Sequence, residues 1–107
     1  MAYSNKTDVA VPLIYNVTMT LADTEYSQEL PLDTLKVMVH TRDESSFRFA
    51  WETNRVATPT APYFTVPANS RYFDDNISLR ADAHRTLYFA SATTLKVIEI
   101  LVWTTRA

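Results

Sequence analysis

Glycine is missing from this sequence altogether: none of its 107 residues is one. At a typical usage of about 7%, roughly seven or eight would be expected in a chain of this length. Glycine lets backbone close around a phosphate, builds the dinucleotide-binding turn, and permits the sharp bend beneath a hydrolase nucleophile. A chain without it contains no P-loop, no Rossmann fingerprint and no nucleophile elbow. Its left-handed turns must fall to Asn or Asp, the next most tolerant residues, or be avoided by longer, open loops. Asn54, Asn69 and Asn76 are the expected left-handed positions.

Apolar residues recur mainly at every second position, and helical spacing is weak. Residues 11–21 (VPLIYNVTMTL) are rich in β-branched and aromatic types, with Pro12 near the start, where an edge strand tolerates it. A short strand follows at 26–30, ended by Pro31 and an Asp33-Thr34 turn. Residues 35–41 (LKVMVHT) place Leu35, Val37 and Val39 on one face and Lys36, Met38 and His40 on the other. Residues 47–51 (FRFAW) send Phe47, Phe49 and Trp51 inward and Arg48 outward, and the loop 42–45 between these strands is of hairpin length. Residues 54–62 contain two prolines and no period, which predicts a long surface loop. Short strands are expected at 63–66 and 71–74, separated by a turn at 67–70. The polar stretch 75–85 fits one helical turn or an extended loop, and strands at 86–90 and 95–103 close the chain.

About eight short strands at such regular spacing predict an all-β, antiparallel two-sheet sandwich of jelly-roll or Greek-key type. Residues 1–11 read as an N-terminal arm and 12–107 as the single sandwich domain. The last strand is apolar on both faces: Ile98, Ile100 and Val102 on one, and Leu95, Val97, Leu101 and Trp103 on the other, broken only by Glu99. A two-layer sandwich covers one face of each sheet. The second face is therefore either covered by loops or the arm, or presented to a partner. The candidate interface residues are Val9, Val11, Leu13, Met38, Leu101 and Trp103.

Composition excludes further classes. A net charge of −2 and scattered basic residues argue against nucleic acid as a partner. No apolar run approaches the ~20 residues of a membrane span. The polar start, Met1 to Asp8, has no hydrophobic signal segment, and synthesis in a cytosol is the expectation. Without cysteine there are neither disulfides nor thiolate metal sites. His40 and His84 lack ligand spacing, and Asp74-Asp75-Asn76 lacks the alternating carboxylates and central glycine of an EF-hand. No serine or threonine sits in a nucleophile motif, and 107 residues of short strands leave little room for the deep cleft of a glycosidase. We expect no enzyme, cofactor or metal. Tyr63, Tyr72, Asn69 and Asp74 form a second candidate, a platform of rings and planar polar groups for a carbohydrate. Strand alternation opposes it by sending one ring of each aromatic pair into the core.

The order LADTEYSQELP at 21–31, FRFA at 47–50, YFTVPA at 63–68, LYFAS at 87–91 and VIEILVW at 97–103 resembles a group of small virion proteins of tailed bacteriophages. The resemblance spans most of the chain and consists of strand patterns rather than catalytic signatures. It departs at 54–62, where such proteins usually carry glycine. It implies a structural component of the particle, foremost a capsid decoration (cement) protein on the outer surface, made in the host cytoplasm. The implied partner is the major capsid protein, contacted through the arm and one apolar strand face, with a homo-oligomer (dimer or trimer) as the binding form. A neck or tail component of the virion and a carbohydrate- or receptor-binding module are the alternatives.

Overall fold

The computed structural model describes residues 11–75 and 86–104. Their strands are β1 (Val11–Met19), β2 (Tyr26–Glu29), β3 (Thr34–Thr41), β4 (Phe47–Ala50), β5 (Phe64–Val66), β6 (Tyr72–Asp74), β7 (Thr86–Ala90) and β8 (Lys96–Thr104). One four-stranded sheet has the order β1-β8-β3-β6 and the other β2-β7-β4-β5, with every pairing antiparallel. First pairs with last, second with seventh, third with sixth and fourth with fifth. The chain is thus one long hairpin doubled at the 51–63 connection and rolled up until β3 also meets β8 and β4 also meets β7. That is a jelly roll, one of the two sandwich types expected.

Alternation builds the core. Every second residue of β8 (Ile98, Ile100, Val102) is fully buried, as are Val37 and Val39 beside them. Phe47, Phe49, Leu87 and Phe89 face them from the second sheet, and Met19, Leu30 and Val66 complete the layer. Each such side chain removed from water contributes about 1.5–3 kcal/mol, set against the entropy of ordering the chain.

Several local features depart from the expected pattern. Leu35 does not join Val37 and Val39. The β3–β8 register shifts between Thr34 and Lys36, Thr34 takes the buried position opposite Thr104, and Leu35 is left 40% exposed. The 51–63 connection is a loop, as expected, yet Val56 within it is fully buried against Ala50, Ala90 and Tyr88. Arg48 fastens this loop, donating from Nε to the Val56 carbonyl and from a terminal nitrogen to the Ala57 carbonyl and Asp23 Oδ1. The loop therefore roofs the central strands, β4 and β7, on the outer face of the β2-β7-β4-β5 sheet.

Left-handed φ occurs at Asn54 and Asn69, as expected, and also at Asp23, Glu44 and Leu95; Asn76 lies outside the described residues. Leu95 is the costly case. Its φ of 60° places a Cβ against the following carbonyl, and its side chain is 67% exposed, so burial offsets little of the strain. Its N–H donates to the Met19 carbonyl at 2.9 Å, which pins the turn into β8. Leu95→Gly is accordingly expected to raise stability by about 1 kcal/mol, read as a higher denaturant midpoint at unchanged slope. A lower midpoint would show that the leucine side chain matters more than its backbone strain.

Candidate interaction face

The outer face of the β1-β8-β3-β6 sheet is assembled by register. Antiparallel partners point to the same side, so Ile14, Leu101, Met38 and Phe73 form one apolar row across all four strands. A second row holds Pro12, Trp103 and Lys36, and Trp103 meets Phe73 edge to face with ring centroids 6.3 Å apart. Ile14 is 69% exposed and Phe73 51%, so among the described residues the face lies open at both edges. The other sheet, by contrast, has the middle of its outer face, at Ala50, Tyr88 and Ala90, covered by the loop carrying Val56, while Ser27 and Thr65 on its edge strands stay exposed.

A polar row borders the apolar one. Asn16, Glu99 and His40 lie side by side, with His40 Nε2 3.1 Å from Glu99 Oε1. Arg42 Nε donates to Glu99 Oε2 at 2.7 Å, leaving the carboxylate matched. Between the two rows Ile14, Asn16, Met38, His40, Glu99 and Leu101 line a shallow hollow of about 360 Å³. The face thus has apolar and aromatic side chains at its centre and matched charges along one rim, the composition common at protein interfaces.

Beyond this rim Lys96 Nζ donates to Asp43 Oδ2 at 2.6 Å. That bond, with those from the Ser45 hydroxyl and backbone N–H, holds the Asp43 carboxyl down at about 2. A carboxyl lowered on folding stabilises the fold above its unfolded value near 4, and the contribution is lost as pH falls through about 2. Asp43→Asn is therefore expected to lower the denaturant midpoint at neutral pH, with the gap to wild type closing between pH 4 and 2. A gap independent of pH would remove the ion pair from the account.

Of the residues expected at an interface, Met38, Leu101 and Trp103 share this face. Val11 and Leu13 do not: they pair with Thr104 and Val102, whose side chains point to the core, and so belong to the inner face. Val9 lies outside the described residues, as does the rest of the expected arm except Val11, which is already in β1. Leu95 is not in the strand at all. Pro12, Ile14 and Phe73 were not among the expected interface residues, because their side depends on cross-strand register rather than local alternation.

The four residues of the carbohydrate platform are not gathered into one surface. Tyr72 points inward, its ring 4.6 Å from that of Phe49, and its hydroxyl donates to Asp74 Oδ2. Burial, and then the neighbouring Asp74 charge, push the Tyr72 hydroxyl up to about 12. Asn69 is held in the β5–β6 turn by its N–H bond to the Glu44 carbonyl. Tyr63 lines a different hollow, of about 380 Å³, with Trp51, Pro62 and Phe64. Among the described residues no three His, Cys, Asp or Glu side chains converge as metal ligands, and His84 lies outside them.

No family model matches the chain, and no curated protein or solved structure matches it significantly.

Proposed function

We propose that this protein is a structural component of a tailed-phage virion, a decoration protein that binds the assembled capsid and clamps neighbouring major capsid subunits. One observation carries the reading: the apolar row Ile14, Leu101, Met38 and Phe73, backed by Trp103, on a sheet face that no described segment roofs. A stiff two-layer body with one adhesive face suits a role in which the partner is a surface rather than a small molecule. The phage assignment itself comes from the strand-pattern resemblance.

Physical chemistry supports such a division of labour. A ligand that binds only the assembled lattice stabilises it by mass action. Contacts repeated over a symmetric shell act together, so each need only be modest. Aromatics such as the half-buried Trp103 and the exposed Phe73 are among the side chains that commonly supply most of the energy at protein interfaces.

The test is cosedimentation of the purified chain with empty shells of its phage, alongside unassembled capsid subunits. Capture by shells and not by free subunits is the expected result. Failure to bind shells defeats the proposal. Copy number on the intact particle separates a coat of many copies from the few of a neck or tail ring.

A further inference from the structure

Each sheet of the sandwich ends in two edge strands, and three of the four are blunted. β2 has four residues and carries Glu29, β5 has three, and β6 has three and carries Asp74. Short or charged edges of this kind discourage pairing with another chain. β1 is different: nine residues, VPLIYNVTM, with no charge among them. Among the described residues it pairs on one side only, with β8.

The phase of its backbone is fixed by two observations. The Met19 carbonyl accepts from Leu95 N–H at the head of β8, so Met19 turns its polar groups toward β8. Alternation then directs Val17, Tyr15 and Leu13 the same way, and leaves the N–H and C=O of Thr18, Asn16 and Ile14 pointing outward. Pro12 falls in the outward set, where its missing N–H disturbs no ladder bond. The side chains agree that this edge is unfinished. Leu13, on the inner face, is 39% exposed and Tyr15 and Val17 are half-buried, whereas their partners Val102, Ile100 and Ile98 are fully buried.

We infer that β1 pairs with β1 of a second copy of this chain, antiparallel, about a two-fold axis through Asn16. In this register Asn16 meets its own counterpart and Ile14 meets Thr18 in both directions. Every outward donor and acceptor between residues 14 and 18 is then satisfied. On the inner face Tyr15 of each copy lies opposite Val17 of the other, an aromatic–β-branched pair of the kind that stabilises sheets. A two-fold at Ile14 instead would set Pro12 opposite Asn16 and lose a donor in each half. The pairing joins two four-stranded sheets into one, in which the polar rows meet across the axis at Asn16 and each apolar row runs on into Thr18 of the other copy, so that one extended face carries two apolar rows, one on either side of the axis. It rests on the edge of β1 and not on the virion reading.

The full chain should sediment as a dimer. Asn16→Cys is the decisive variant, because the protein has no other cysteine and residues on the axis of such a ladder lie about 5.5 Å apart, within disulfide reach. Oxidation should convert most of it to a covalent dimer. Thr18→Pro removes one outward N–H per copy while leaving the β8 ladder intact, and should weaken dimerisation about tenfold or more without loss of the folded spectrum. A monomer at all concentrations overturns the inference. So does a dimer indifferent to Thr18→Pro, or one cross-linked by Met38→Cys and not by Asn16→Cys, which would mean pairing face to face. A dimer that ignores shells defeats only the proposed function, and a monomer that binds them defeats only the edge pairing.

Discussion

Phe89→Ala is expected to lower stability by about 3–5 kcal/mol, the largest effect of any single truncation among the described residues, where Phe89 is the bulkiest fully buried side chain. Phe89 is fully buried in β7, a central strand, between Tyr26 of β2 and Phe49 of β4. Strands hold it on both sides and the opposite sheet closes over it, so the cavity has little means of collapsing. A domain of this size has about 5–15 kcal/mol in all, and the variant sits close to the point of unfolding. Trp103→Ala is the informative contrast. Its ring is half-buried on an outer face with Phe73 as its ring partner, and its loss should cost clearly less. The measurement is the denaturant midpoint at constant slope. If Phe89→Ala cost no more than Trp103→Ala, the core would not lie between these two sheets.

The inward pattern was legible because burial and alternation act locally. Phe47-Arg48-Phe49 and Ile98-Glu99-Ile100 each carry their own inside and outside, and the eight strands lie within two residues of where alternation puts them. Leu35 shows how that reasoning fails. A single bulge transfers the inward position to Thr34, and nothing in the sequence LKVMV announces it. Glu44 and Leu95 fail similarly, since their left-handed φ is imposed by turns closed through the Thr41 and Met19 carbonyls rather than chosen by residue type.

The candidate face was half legible for a related reason. Met38, Leu101 and Trp103 could be assigned to an outward side because each lies in a strand with a clear buried partner set. β1 offers no such contrast: Leu13 and Ile14 are both apolar and both exposed, at 39% and 69%. Only the pairings of Leu13 with Val102 and Ile14 with Leu101 decide that the first looks inward and the second outward. Register is a long-range property, and a one-residue slip exchanges the two faces. The aromatic platform dissolved by the same logic, Tyr72 turning in beside Val39 and Phe73 turning out beside Met38.

Met38→Glu is expected to abolish capture by phage shells while leaving the sandwich folded. In the free protein the new carboxylate stands at the centre of the outer face, half open to water, with Lys36 and His40 two residues away on the same side of β3. It buries no unpaired charge there, and the denaturant midpoint should stay close to wild type. Covered by a partner, the same carboxylate loses its water between Leu101 and Phe73, neither of which offers a hydrogen bond. Desolvating an unpaired carboxylate costs several kcal/mol, so affinity should fall by about a hundredfold or more. Met38→Leu, similar in volume and uncharged, should bind as wild type does, which separates charge from shape. The β1 edge lies on another strand, and dimerisation should survive both changes. Retention of shell binding by Met38→Glu would show that the protein meets its lattice through some other surface, and the apolar row would then need a different partner.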